Sequence, residues 1–241
     1  MKDTMITKLT DGRTDLVFEL PDRDKETPYT DEHGTPLINW CAYYGDVSAI
    51  KYLISKGATL EELGPNYDLN GAAFHGHWQL CQYLLEQGAK ADQALPDTGE
   101  TPLHNCIQPN RPATNFIIEL LLSYGADPNV HTQSRVETGA FMREAFTKEE
   151  TPLHRAAAFG NEEAIQLLLA AGADKTAEDL NGDSPLAWAS WHQRPGKILS
   201  ILTYDHHDLH PLHIKNMQSD HGSGWGAGMS IMRMGKVHLE K

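Results

Sequence analysis

The sequence predicts an all-α fold, a solenoid of stacked antiparallel helix pairs joined by hairpin loops, and three observations carry that prediction. The motif Thr-Pro-Leu recurs at Thr35, Thr101 and Thr151, with Ser-Pro-Leu at Ser184. A Gly-Ala pair closes an apolar run at Gly57, Gly88, Gly125 and Gly172. From Gly45 to Gly57, from Gly76 to Gly88 and from Gly160 to Gly172 the interval is 12 residues each time, which fixes one register for all copies. Recurrence at a fixed period is the mark of a fold built from one repeated supersecondary unit.

Each unit reads as two short helices. Between middle glycine and Gly-Ala the apolar residues fall at helical spacing: Ile50, Leu53 and Ile54; Leu80, Tyr83, Leu84 and Leu85; Ile165, Leu167, Leu168 and Leu169. Upstream, "PLHRAAAFG" opens with a proline suited to a first helical turn and ends in a glycine suited to a C-cap. With Gly12 as a middle glycine, Leu16, Val17 and Leu20 take the places of Ala164, Ile165 and Leu168, so residues 11–24 read as an N-terminal half unit, stopped by Pro21.

The first full unit carries one extra turn residue, since counting back from Gly45 reaches Pro36 and not Thr35. In the second, Tyr67 stands for Thr and Asn70 for His. The expected organisation is one domain over residues 1–202, with units near 31–60, 63–92, 97–129, 148–177 and 180–202, and a C-terminal tail over 203–241 that is partly flexible.

"TPLHRAAAFGNEEAIQLLLAAGAD" from Thr151, "TPLHNC" from Thr101 and "YGADPN" from Tyr124 resemble the ankyrin-repeat family, whose unit of about 33 residues contains T-P-L-H-x-A. His104 and His154 are candidate bases or ligands by residue type. The resemblance implies instead that this imidazole braces its turn through backbone hydrogen bonds, with Asn39 and Asn70 in the same place. It also implies that the two residues before each middle glycine face the concave side of the stack. Those pairs are Tyr43 and Tyr44, Phe74 and His75, Gln108 and Pro109, Ala158 and Phe159, Trp191 and His192. Aromatic rings bury large area at low entropy cost and are enriched where proteins meet. Trp40 and Trp188, one turn earlier, either extend the row or pack internally.

Unit three departs twice from the period. Gly125 to Thr151 takes 26 residues where Gly88 to Thr101 takes 13, and Asn110 to Gly125 takes 15 in place of 12. The enlarged hairpin, residues 130–147, carries Phe141, Met142, Phe146 and Arg143, which suits a contact site; the alternative is that it folds back to cover a neighbouring unit.

Composition sets the limits on partners. Thirty-three acidic against 20 basic residues give a net charge of -13, which disfavours nucleic acid and anionic membranes and suits a basic protein surface. The absence of a long apolar run and of an apolar leader predicts a soluble cytoplasmic chain, with a monomer favoured. Cys41, Cys81 and Cys106 fall in apolar slots of the repeat, as reduced core thiols would.

The tail places His206, His207, His210 and His213 at spacings of three and four beside Asp205 and Asp208, weak candidates for zinc because Pro211 interrupts a helix there. Its glycines lack the strand and the Gly-Lys-Ser/Thr of a phosphate loop, so no cofactor is expected. The functional expectation is a non-enzymatic scaffold that binds a protein through the aromatic face and the third hairpin. A metal-binding or hydrolytic site near hairpin and tail, and a regulatory subunit of an enzyme complex, are the alternatives.

Overall fold

The computed structural model describes residues 2–21, 29–109, 111–139 and 145–204, with the side chains of residues 2–4 excepted. Five helix pairs follow one another: α2 (Leu37–Tyr43) and α3 (Val47–Ser55); α4 (Leu69–His75) and α5 (Trp78–Glu86); α6 (Pro102–Cys106) and α7 (Thr114–Ser123); α8 (Pro152–Phe159) and α9 (Glu162–Ala170); α10 (Pro185–Trp191) and α11 (Gly196–Leu202). The first helices form one layer in the order α2, α4, α6, α8, α10, and the second helices form another in which α3, α5, α7 and α9 are successive neighbours. The core lies between the layers, built from residues such as Leu37, Ile50, Leu84, Leu103, Ile117, Leu153, Leu168 and Leu199, each exposed by 1% or less. Helices this short are marginal alone in water, so each is held by its neighbours in the stack.

Side chains cap the helices. Asp46 accepts from the Ala49 amide at 3.0 Å and Asn161 from the Ala164 amide at 2.8 Å. In unit two Asp68 caps α4 by accepting from Gly71 at 3.1 Å, next to Tyr67 in the threonine position. Gly45 takes a left-handed φ of +74°, and a Cβ there would lie 2.5 Å from His77 Nδ1, so both backbone and neighbour require glycine.

Three features depart from the sequence reading. The residues read as an N-terminal half unit are preceded by a helix, α1 (Lys2–Thr10), and Thr14–Glu19 forms a 3-10 helix; residues 22–24 lie outside the described ones. Alpha1 escaped notice because its pattern is mostly polar, with Leu9 its one fully buried side chain among those described. The fold is not purely α: the enlarged hairpin contains strands β1 (Ser134–Thr138) and β2 (Ala145–Lys148), antiparallel, pairing Ser134 with Lys148 and Thr138 with Ala145. The register is irregular between Ser134 and Glu137, where Arg135 has a φ of 60°. Finally, α6 stops at Cys106, so Gln108 and Pro109 sit in a linker and not at a helix end, and Gln108 is buried with its amide donating to Asn105 O.

Candidate functional site

The two Thr-Pro-Leu-His histidines are structural. The Thr101 amide donates to His104 Nδ1 at 3.1 Å, which leaves Nε2 to donate to Glu150 O at 3.2 Å. His154 repeats this, with the Thr151 amide at 3.1 Å and Asp183 O at 3.0 Å. Burial first, then the nearby Arg155 charge, pushes His104 down to about 3, and burial likewise lowers His154. Both are neutral struts from one hairpin to the next. Asn70 fills the same place by donating to Gln93 O at 3.2 Å, whereas Asn39 Oδ1 is buried without a partner. The three thiols are buried; Cys41 and Cys81 are raised to about 12 by desolvation, and Cys106 is raised further by the same cause.

The row of aromatic residues divides into two clusters. In the first, Tyr43 is the hub: its ring centroid lies 6.3 Å from Trp40, 5.1 Å from Tyr44 and 4.9 Å from His75, and Phe74 continues the series at 5.1 Å from His75. Tyr43 is 52% exposed. Tyr44, at 38%, is partly committed, since its hydroxyl donates to Thr10 O at 2.8 Å and its ring packs on Gly12. His75 is held below its ordinary value by partial burial and then by His77 and Arg111.

Two residues that the sequence reading passed over fasten this cluster. His77 stacks on His75 at 5.7 Å and its Nε2 lies 2.9 Å from Tyr43 O. Arg111 donates to His75 O at 2.6 Å with its guanidinium 5.9 Å from the Phe74 centroid. A pair of exposed rings, Trp78 and Phe116, stands 6.4 Å apart at the starts of α5 and α7.

In the second cluster Phe159 and Trp191 are half-buried, but His192 is only 7% exposed. His192 packs between Phe159 at 4.8 Å and Trp188 at 6.4 Å, and burial lowers it to about 4. It is a packing residue in place of the contact residue expected. Gln108 and Ala158 are buried as well, so neither adds to the exposed row. Phe141, Met142 and Arg143, together with His206, His207, His210 and His213, lie outside the described residues. Among the described residues no group of three or more His, Cys, Asp or Glu is placed to hold a metal ion, and no helix is long and apolar enough to cross a membrane.

The fifth residue of each first-helix motif, counted from the threonine position, forms a further row: Trp40, Gly71, Asn105, Arg155 and Trp188. Trp40 Nε1 donates to Asp31 Oδ2 and Trp188 Nε1 to Asp179 Oδ2, both at 3.0 Å. Asn105 donates to Asn70 Oδ1 at 2.9 Å. Arg155, fully buried, donates through Nη2 to Glu100 Oε1 and Glu150 Oε1, each at 2.6 Å. Burial alone raises the Glu150 carboxyl, yet the Arg155 charge, the Lys148 amide and the Thr132 hydroxyl outweigh it and hold the group at about 2. The signal for this cluster was visible in "GETPLH" and "EETPLHR", where an acid precedes each threonine and a lone arginine takes a floor position.

Comparison with known proteins agrees with this geometry. A family model described as ankyrin repeats (3 copies) matches residues 38–132 and 113–211. Palmitoyltransferase ZDHHC13 of Homo sapiens is 28% identical over 214 residues, covering 71% of this chain and 31% of that protein. A putative ankyrin repeat protein of Rickettsia felis is 37% identical over 111 residues, 42% of this chain and 47% of its own length. Inversin of Homo sapiens is 25% identical over 182 residues, 74% of this chain and 15% of that protein. The chain thus spans less than half the length of each of these relatives. The matched residues include the helix pairs and their Thr-Pro-Leu-His struts, and the chain belongs to the ankyrin-repeat family.

Proposed function

We propose that the chain is a non-enzymatic binding module that grips a partner protein on the face formed by its first helices. Ankyrin repeats generally serve protein–protein interaction, and the observation that supports a particular face is the exposed ring cluster around Tyr43. Its rings are held by mutual edge contacts, by His77 stacked on His75 and by the Arg111 guanidinium over Phe74, so docking on them costs little side-chain entropy. Phe159 and Trp191 extend the reading toward the C-terminal units, and Phe141, Met142 and Arg143 belong to it on sequence grounds alone. The net charge of -13 suits a partner with a basic surface in a cytoplasmic setting.

The test is affinity capture with Tyr43, Phe74 and Phe159 changed together to Ala, checked for folding by circular dichroism. Tyr44 and His192 are left intact because they brace the N-terminal segment and the core. Loss of the captured partner from the folded variant is expected. Recovery equal to that of the intact chain would sink this reading.

A further inference from the structure

Trp40 and Trp188 occupy the same register and make the same bond. Each indole donates to an aspartate nine residues upstream, and each aspartate's other oxygen accepts two amides: His33 and Thr35 on Asp31, Asn181 and Asp183 on Asp179. Their cover differs. Trp40 is half-buried, whereas Trp188 is 6% exposed, its ring 5.4 Å from His154 and 6.4 Å from His192, with the base of the enlarged hairpin alongside: the Lys148 ammonium is 5.9 Å from its ring and the Leu180 amide donates to Lys148 O at 2.7 Å.

The hairpin engages the neighbouring floor in the same manner. Thr138 gives its hydroxyl to Glu100 Oε1 at 2.8 Å across to the preceding hairpin, while at the hairpin's own foot Glu150, whose carbonyl accepts from the Thr132 amide, takes the Thr132 hydroxyl on Oε2 at 2.7 Å and the Lys148 amide at 2.6 Å. Two carboxylates there face one guanidinium, so the floor is acidic on balance. The hairpin side chains named here, the Thr132 and Thr138 hydroxyls and the Lys148 ammonium, are donors or a cation, and they meet carboxylates and a ring face; the Lys148 carbonyl, which accepts from the Leu180 amide, runs the other way. The complementarity is that of a ligand and its site.

We propose that the hairpin base is an internal strap occupying a binding groove over units three to five, and that this groove accepts an extended partner segment bearing hydroxyl and lysine side chains in its place. The proposal rests on the first-helix face being the partner-binding one. Its test uses no partner. Residues 132–148 are replaced by a short turn, and a dye-labelled synthetic peptide of residues 131–149 of this chain is titrated against the shortened and the intact protein by fluorescence anisotropy.

Saturable binding to the shortened chain, at least tenfold weaker to the intact one and weakened again by Glu100→Gln, is the expected result. Equal binding to both, or none to a folded shortened chain, overturns it. In the intact chain, Thr132→Val with Thr138→Val is expected to speed amide exchange at Gln133 and Val136 by at least tenfold while the amides of α3 and α5 are unchanged; unchanged exchange at Gln133 and Val136 likewise overturns the proposal. If the peptide binds while the Tyr43, Phe74 and Phe159 variant still captures its partner, the groove stands and the aromatic surface falls. The converse pair of results separates them the other way.

Discussion

At the scale of the residue, Arg155 carries the most consequence. Its charge sits with no solvent exposure between two carboxylates that are themselves 1% and 4% exposed at the side chain. Removing one member of such a cluster leaves buried charge uncompensated, which costs about 3–5 kcal/mol. Arg155→Met is therefore expected to lower the urea unfolding free energy by that amount, and the triple variant with Glu100→Gln and Glu150→Gln to recover more than half of the loss. A single variant as stable as the wild type would show that the carboxylates find other partners. The acids ahead of Thr101 and Thr151 and the arginine at position 155 stand in the sequence, but their closing into one buried cluster does not follow from the register. The same position is half-buried in the first two units, at Trp40 and Gly71, and buried in the last three, at Asn105, Arg155 and Trp188.

At the scale of the element, the middle-glycine position offers a paired test. Gly45 and Gly76 hold φ values of +74° and +79°, but in unit five the same place is taken by Gln193 at 52°. A side chain in that conformation costs about 1–2 kcal/mol. Gln193→Gly is expected to raise stability by about 1 kcal/mol, and Gly45→Ala to lower it by more, because of His77 as well as the backbone. Equilibrium denaturation of the two variants checks the opposite signs.

The helix pairs were readable from the sequence because apolar spacing, caps and glycines agreed in each unit. Alpha1 was not, since a mostly polar helix is ordered by what it docks on. The strands were not either, since Ser134–Thr138 and Ala145–Lys148 bury little beyond Thr138 and Thr147 and so lack an alternating apolar face. Of the candidate site, Tyr43 and Phe74 were legible from register, whereas His192 was misplaced because the same register cannot reveal that Trp188 and Phe159 close over it.

At the scale of the molecule, the hairpins are stitched one to the next by unlike means. Asn66 spans to the Lys90 backbone through two bonds of 2.7 and 2.9 Å, and Asn129 does the same to Asp174 N and Gly172 O at 2.8 and 3.0 Å. Between them the enlarged hairpin takes the role, with the Gln133 amide on Thr98 O at 2.8 Å and its side chain on Pro96 O at 3.0 Å. The stack's response to acid follows from its buried imidazoles. His104 and His192, at about 3 and about 4 in the folded chain, lie below the unfolded value of about 6.5, so protons bind the unfolded chain first.

Their contribution is full above pH about 6.5 and falls below it by about 1.4 kcal/mol per pH unit for each group until the folded value is reached. The Glu150 contribution, set by a folded value of about 2, persists to pH about 4.3 and is lost below that. Urea midpoints at pH 7.5, 6 and 5 are expected to decline steadily; a flat profile would mean that these imidazoles titrate within the native stack.

The matched tryptophans have a consequence in optical terms. Trp40 and Trp188 share a donor bond of the same length to an aspartate held in the same turn, while their indoles differ in access to water and in the Lys148 ammonium that stands by the second. Variants that keep one or the other emit from two comparable chromophores, one wetted and one sheltered. The first serves as the reference against which the wavelength of the second records, without any label, whether unit five is covered.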